Sequence, residues 1–179
     1  MTIYQKIIFT GPVGAGKTTA IASLSDEPPV STDIRPTDEV LERKSATTVA
    51  MDYGAIHLED GEIIHLYGTP GQERFDFMWD ILTIGGIGLV LLVDNSRPRP
   101  IQDMHYFLDA FGDFIQQTHV AIGVTQRDVC ATPTLAEYQS ELSRRGLNPP
   151  LFSVDARIKR DVALLVQALL YSLDPRLNQ

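Results

Sequence analysis

A glycine-rich segment near the amino terminus constrains the fold of this chain more than any other feature. Residues 11–18 read Gly-Pro-Val-Gly-Ala-Gly-Lys-Thr, which matches G-x-x-x-x-G-K-[S/T], and they follow the apolar run 7–9. In this pattern the glycines let the backbone wrap around phosphate groups with its N–H groups pointing inward. A strand before the loop and a helix after it, with its positive amino terminus, complete the arrangement. Residues 11–18 therefore predict a phosphate-binding loop.

The residue types in this loop indicate individual roles. Lys17 can reach the outer phosphates of a nucleotide, and the Thr18 hydroxyl can ligate Mg²⁺. We therefore expect Lys17 to serve both binding and catalysis, and Thr18 to be a metal ligand. The predicted nucleotide-binding residues of this segment are Gly11, Gly14, Ala15, Gly16, Lys17, Thr18 and Thr19.

The composition argues against several other functions. With 179 residues, 44% hydrophobic and 21% charged, the chain is expected to form one nucleotide-binding domain over residues 1–179. A net charge of −8 argues against nucleic-acid binding. The apolar stretch 81–93 is too short to span a bilayer, and we expect no direct membrane anchor. The single cysteine, Cys130, suits a reducing cytoplasm.

Strand and helix patterns alternate along the remaining chain. Strands are expected at 3–10, 48–58, 63–67, 87–93, 120–125 and 151–154. Helices are expected at 17–24, 78–83, about 101–117, 134–145 and 161–171. Residues 59–62 form a hairpin turn, so the two strands that flank it run antiparallel. Residues 25–45 are expected to form a long loop. This order predicts a mixed α/β sheet.

A second loop carries the first resemblance to a known family. Residues 68–75 read Gly-Thr-Pro-Gly-Gln-Glu-Arg-Phe and resemble the D-x-x-G-Q-E motif of Ras-like small GTPases. The resemblance implies that Gly71 binds the γ-phosphate and that Gln72 orients the attacking water. Pro70 resembles the bacterial MglA-like branch, which also lacks the motif's aspartate. Because Gly68 replaces that aspartate, we expect Thr18 to hold Mg²⁺ with less help than in most relatives.

The segment 47–53 closes the long loop and resembles the T-I-x-x-D-[F/Y] step of Ras and Rab proteins. That match implies that Thr48 ligates Mg²⁺ through its hydroxyl and binds the γ-phosphate through its backbone, with Thr47 as the alternative. We call residues 25–53 the first switch segment and residues 68–75 the second, since both are expected to respond to the γ-phosphate. The implied fold is the three-layer P-loop NTPase fold of small GTPases, with a six-stranded, mostly parallel sheet, one antiparallel strand and helices on both faces.

Residues 125–128 bear on which base is bound. They resemble the N-K-x-D motif of the same proteins, whose aspartate accepts hydrogen bonds from the guanine N1–H and 2-amino groups. Asp128 retains this residue, while Thr125 and Gln126 replace asparagine and lysine. Thr125 can still bond to the phosphate-binding loop, and Gln126 can stack on the base without offering a cation.

Residues 153–157 resemble the S-A-K loop that follows the sixth strand in this superfamily. The match implies that the Ala156 N–H meets guanine O6, with Asp155 and Arg157 beside it. Together with Asp128 it favours GTP and GDP, with Mg²⁺, over adenine nucleotides, which stay the alternative.

The resemblance implies a cytoplasmic molecular switch that hydrolyses GTP slowly and is controlled by a regulatory or effector protein, such as a Roadblock-type activator. Arg35, Arg43 or Arg74 could supply a catalytic arginine in cis. The alternative function is a nucleotide-binding interaction module with little or no hydrolysis. An ATPase or nucleotide kinase ranks last, because no arginine-rich lid is evident within 116–160.

Overall fold

A mixed β-sheet forms the centre of the structure, a computed structural model that describes residues 5–31, 51–71 and 76–173. Its strands are β1 (Gln5–Thr10), β2 (Val30–Ser31), β3 (Asp52–His57), β4 (Ile63–Gly68), β5 (Gly88–Asp94), β6 (Val120–Thr125) and β7 (Leu151–Ser153). The helices in the same ranges are α1 (Lys17–Leu24), α2 (Phe77–Thr83), α3 (Pro100–Ala110), α4 (Gly112–Gln117), α5 (Leu135–Arg144) and α6 (Lys159–Leu173).

The strand order confirms the predicted topology. The sheet runs β2-β3-β4-β1-β5-β6-β7, and the strands from β4 to β7 are parallel. β3 pairs antiparallel with β4 through the hairpin turn. The expected six-stranded, mostly parallel sheet with one antiparallel strand is therefore confirmed. The two-residue strand β2 extends its edge, within a stretch expected to be a loop.

Side chains of alternate residues in the central strands pack into two hydrophobic cores, one on each face of the sheet. In β5 all seven residues are buried, which explains its continuous apolar sequence. Val90 packs with residues of α1 and α6 on one face. Leu91 packs with Met104 of α3 and Tyr138 of α5 on the other. Helices therefore cover both faces, as the sequence predicts.

The helix expected at about 101–117 is divided into α3 and α4. Phe111 lies between them with φ −101° and ψ 15°, outside the helical range. Gly112 follows at once, and glycine is a poor helix former, so the break falls where the helical preference is weakest. Across the three described ranges, no helix combines the length and apolar character needed to cross a membrane.

The parallel strands place their carboxyl ends at one edge of the sheet. The loops that follow β1, β4, β5 and β6 all emerge there, as does the loop that follows β7. Because β3 runs in the opposite direction, its first residue, Asp52, also lies at this edge, opposite Gly68. Ligands of open α/β sheets bind outside this edge, and the candidate site lies there.

Candidate nucleotide-binding site

A cleft of about 770 Å³ opens at the carboxyl edge of the sheet. It brings together most of the predicted nucleotide-binding residues: Gly14, Ala15, Gly16, Lys17, Thr18, Thr19, Gly71, Thr125, Gln126, Asp128, Asp155, Ala156 and Arg157. Gly11 directly follows β1 and is not among the residues that line the cleft. Thr48, its alternative Thr47 and Gln72 fall outside the described residues, as do the three arginines considered in cis.

The phosphate-binding loop has the backbone geometry that its glycines predict. Gly11, Gly14 and Gly16 have φ values of 142°, 85° and 99°, a region that side chains disfavour. A Cβ atom on Gly11 would lie 2.1 Å from the Leu92 carbonyl oxygen, so the loop packs directly against β5. The loop leads into α1, which begins at Lys17 and directs its amino terminus at the cleft.

Lys17 is the buried cation of the site, with 7% of its surface exposed. Its ammonium donates to the Gly11 and Pro12 carbonyl oxygens at 2.7 and 2.8 Å. Burial lowers the pKa of Lys17 to about 8, while the Asp52 carboxylate opposes this shift and Arg97 adds to it. A Cβ atom on Gly71 would lie 2.8 Å from the Lys17 Nζ atom. The lysine and the glycine predicted to contact the γ-phosphate are therefore neighbours.

Asp52 supplies a carboxylate that we did not predict for this site. The Thr18 hydroxyl donates to the Asp52 Oδ2 atom at 2.6 Å. Asp52 pairs with Gly68 across the β3–β4 ladder, and a Cβ atom on Gly68 would lie 3.1 Å from the Asp52 Cβ atom. Thr18 therefore has a carboxylate partner although Gly68 offers none, and the expectation that it holds Mg²⁺ with less help than in most relatives stays a prediction. This carboxylate lies on the strand adjacent to position 68.

The donor atoms around Thr18 fit the chemistry of Mg²⁺. A hydroxyl and a carboxylate oxygen are hard ligands, which this ion prefers together with phosphate oxygens and water. Thr18 and Asp52 both line the cleft beside Lys17. The observed register, with His57 opposite Ile63, is what places Asp52 opposite Gly68 in the ladder.

A buried hydrogen-bond network supports the base side of the cleft. The Thr125 hydroxyl donates to the Ala15 carbonyl oxygen at 2.9 Å, which ties the end of β6 to the phosphate-binding loop. Asn95, 1% exposed, donates from its amide to the carbonyls of Cys130 and Pro133 at 2.6 and 3.2 Å. The Tyr138 hydroxyl donates to the Asn95 Oδ1 atom at 2.7 Å. Asn95 was not predicted, although a polar residue directly after a buried strand could have identified it.

Arg157 lies between two carboxylates at the exposed rim of the base side. Its guanidinium donates to Asp155 at 2.9 Å from Nε and at 2.6 Å from Nη2. These bonds lower the pKa of Asp155 to about 2. The Asp128 Oδ2 atom lies 3.9 Å from Arg157 Nη2. Gln126 has a φ of 59°, so its backbone turns sharply at the end of β6. The three charged side chains therefore form one group around the expected base position.

Comparisons with known proteins agree with a P-loop site. Residues 9–144, from the end of β1 to the end of α5, match the model of a family described as conserved hypothetical ATP binding protein. An uncharacterized protein of Methanocaldococcus jannaschii is 31% identical over 121 residues, or 64% of this chain and 71% of that protein. The Ras-related protein RabC of Dictyostelium discoideum is 21% identical over 178 residues, or 96% of this chain and 85% of that protein.

Proposed function

Because the chain belongs to the P-loop nucleotide-binding family described as conserved hypothetical ATP binding protein, we propose that it is a nucleotide-dependent molecular switch. It binds GTP, hydrolyses it slowly to GDP and uses its two switch segments to control partner binding. One observation carries the proposal: the phosphate-binding loop, Gly71 and Asp128 line the same cleft. The Ras-related relative supports the switch reading.

The choice of guanine rests on Asp128. A carboxylate can accept from both the N1–H and the 2-amino group of guanine, whereas adenine has neither donor on that edge. The Thr125 hydroxyl donates to the Ala15 carbonyl oxygen of the phosphate-binding loop, as we expect of a residue in the base-binding segment. Arg157, whose Nη2 atom lies 3.9 Å from Asp128 Oδ2, offers the cation that Gln126 cannot. The matched family is described as ATP binding, so the preference for guanine or adenine nucleotides is the first property to measure.

The phosphate side carries the hydrolytic chemistry in this proposal. Lys17 binds the outer phosphates, and Thr18 with Asp52 and Thr48 holds Mg²⁺, which neutralises phosphate charge when bound. Gly71 donates its backbone N–H to the γ-phosphate, and Gln72 orients the attacking water. The alternative is a nucleotide-binding interaction module with little or no hydrolysis. It requires the residues that bind the phosphates and Mg²⁺, but not a Gln72 side chain that orients water.

Partner binding is supported by an apolar surface beside the second switch segment. Phe77, Ile81 and Ile84, in and just after α2, are 58%, 59% and 73% exposed. Their spacing places them along one side of the helix. We propose that a regulatory or effector protein, such as the Roadblock-type activator of the MglA-like branch, acts on this switch. We further propose a cytoplasmic location and no nucleic-acid ligand.

GTP turnover with and without Gln72 tests the enzymatic proposal. Gln72→Ala is expected to lower turnover about tenfold or more, because orienting the nucleophile supplies much of the rate. Phosphate release under single-turnover conditions measures the effect. Gln117→Ala, an exposed residue before β6 at the opposite edge of the sheet, is the matched control and should leave turnover unchanged. A wild-type chain that binds GTP but never hydrolyses it, even with an activator, would favour the interaction module.

Base selectivity is tested by Asp128→Asn. We expect GDP affinity to fall about tenfold to a hundredfold, because two hydrogen bonds to a charged acceptor are lost. Xanthosine diphosphate should gain affinity, since its 2-oxo group can accept from the asparagine amide. Calorimetric titration with GDP, ADP and xanthosine diphosphate measures the change. Asp113→Asn, an exposed residue of α4, is the control. Preference of the wild type for ADP would contradict the assignment.

A further inference from the structure

Trp79 connects the second switch segment to the hydrophobic core. It is the single tryptophan of the chain, lies within α2 and is 3% exposed. Its indole Nε1 atom donates to the Pro70 carbonyl oxygen at 3.3 Å. Pro70 directly precedes Gly71, the proposed γ-phosphate ligand. The indole therefore contacts the one peptide bond whose orientation directs the Gly71 N–H.

The indole ring is held firmly from the opposite side. Trp79 stacks on Phe111 with ring centroids 5.0 Å apart and planes at 22°, and it contacts Phe107 at 5.3 Å. All three side chains belong to the core between the sheet and α3. Lys6 of β1 donates to the Ile84 carbonyl oxygen at 3.1 Å, just after α2. The position of the indole N–H is therefore set by the core.

Because the Pro70–Gly71 peptide bond is planar, the contact of its carbonyl with Trp79 also fixes the direction of the Gly71 N–H. The Pro70–Gly71 bond is trans, so the Pro70 carbonyl and the Gly71 N–H point in opposite directions. With the carbonyl directed at Trp79, the Gly71 N–H points away from the core. Gly71 lines the cleft, where a Cβ atom on it would lie 2.7 Å from the Val13 backbone nitrogen. The Thr69 N–H donates to the Phe9 carbonyl oxygen at 2.8 Å, which fixes the preceding residue to β1.

We propose that Trp79 is a positioning residue that holds the Pro70–Gly71 peptide plane in the orientation for reading a terminal phosphate. This inference rests on the proposed function, in which Gly71 contacts the γ-phosphate. The contact strengthens binding of a nucleoside triphosphate, because a diphosphate has no γ-phosphate for the Gly71 N–H to reach. Loss of the indole donor therefore affects triphosphate binding and leaves diphosphate binding largely intact.

Trp79→Phe separates the hydrogen bond from ring packing. The variant retains an aromatic ring against Phe111 and loses the N–H. We expect its affinity for a non-hydrolysable GTP analogue to fall about threefold to tenfold, with GDP affinity changed less than twofold. Calorimetric titrations of wild type and variant give both constants. Phe111→Leu, which weakens the stacking and keeps the donor, should lower the melting temperature and leave the ratio of the two affinities unchanged.

A spectroscopic readout tests the same contact without substitution. One tryptophan gives one indole ¹H–¹⁵N resonance, which should shift on adding the GTP analogue and shift much less on adding GDP. An unchanged affinity ratio in Trp79→Phe, or an indole resonance that responds equally to both nucleotides, would overturn this inference alone. Failure of the wild type to bind either nucleotide would instead overturn the proposed function.

Discussion

Asp52→Asn is expected to weaken Mg²⁺-dependent GTP binding about tenfold to a hundredfold, the usual effect of losing a group that orients a metal ligand. The Asp52 carboxylate accepts a 2.6 Å hydrogen bond from Thr18, the residue expected to ligate the ion. Asparagine preserves the size of the side chain and removes its charge. Titration of GTP affinity against free Mg²⁺ measures the change, and affinity in the presence of excess chelator should be nearly unaffected.

The strand pairing offers a stringent control for this prediction. Gly68→Asp alone should destabilise the fold, because its Cβ atom would lie 3.1 Å from both the Asp52 Cβ and the Ile21 Cδ1 atoms. The double variant Asp52→Gly with Gly68→Asp removes the contact with Asp52, leaves only that with the terminal Ile21 Cδ1 atom, and moves the carboxylate to the other strand. It should recover much of the lost Mg²⁺ dependence, a non-additive result that independent sites do not produce. If the double variant binds GTP in the presence of Mg²⁺ as weakly as Asp52→Asn does, the inference that a carboxylate at position 52 can replace one at position 68 is contradicted.

Lys17→Met is expected to lower nucleotide affinity about a hundredfold or more, because at least two charge-assisted hydrogen bonds to phosphate are lost. Methionine fills most of the space of the lysine stem. Removal of a buried charge offsets the loss of its bonds to Gly11 and Pro12, so the free energy of unfolding should change by only about 1 kcal/mol. Nucleotide titration and denaturant unfolding measure the two effects. A large loss of stability would mean that Lys17 has mainly a structural role.

The lowered pKa of Lys17 adds a pH dependence to that prediction. In the free protein its pKa is about 8, below the ordinary 10.5, so the unfolded chain binds more protons between these values. Its contribution to stability therefore rises with pH across this window. Phosphate binding requires the charged form, so nucleotide affinity should fall above pH 8 by up to about tenfold per pH unit. Lys17→Met should lack this dependence, whereas Lys17→Arg, which stays charged, should lose it without losing all binding.

The sequence predicts those parts of the structure that depend on neighbours along the chain. The phosphate-binding loop at 11–18 is recognisable because its spacing, its glycines and its flanking strand and helix all lie within one short segment. β5 is recognisable because a strand buried on both faces is continuously apolar. The antiparallel strand follows from the hairpin turn at 59–62. Most of the predicted site residues line one cleft because parallel strands end at one edge of the sheet.

Three residues whose roles depend on contacts between distant segments were not predicted. Asp52 reaches Thr18 only through the pairing of β3 with β4, which a linear motif does not record. Asn95 supports the loop after β6 through bonds to residues 35 and 38 positions away. Trp79 carries no polar motif, and its contact with Pro70 depends on how α2 packs against the core. Thr48 and Gln72 stay predictions, since they lie outside the described residues.

In the proposed switch, the carboxylate that supports the Mg²⁺ ligand Thr18 belongs to a different segment from the glycine that binds the γ-phosphate. In the D-x-x-G motif, the carboxylate and the glycine that reads the γ-phosphate are three residues apart, so one loop carries both. Here the carboxylate ends the first switch segment, at the start of β3, and Gly71 belongs to the second. Under the proposed function, a shift of Gly71 would therefore release the γ-phosphate without displacing the Asp52 carboxylate from Thr18. In that case retention of Mg²⁺ and recognition of the terminal phosphate would be separately adjustable, each through its own segment.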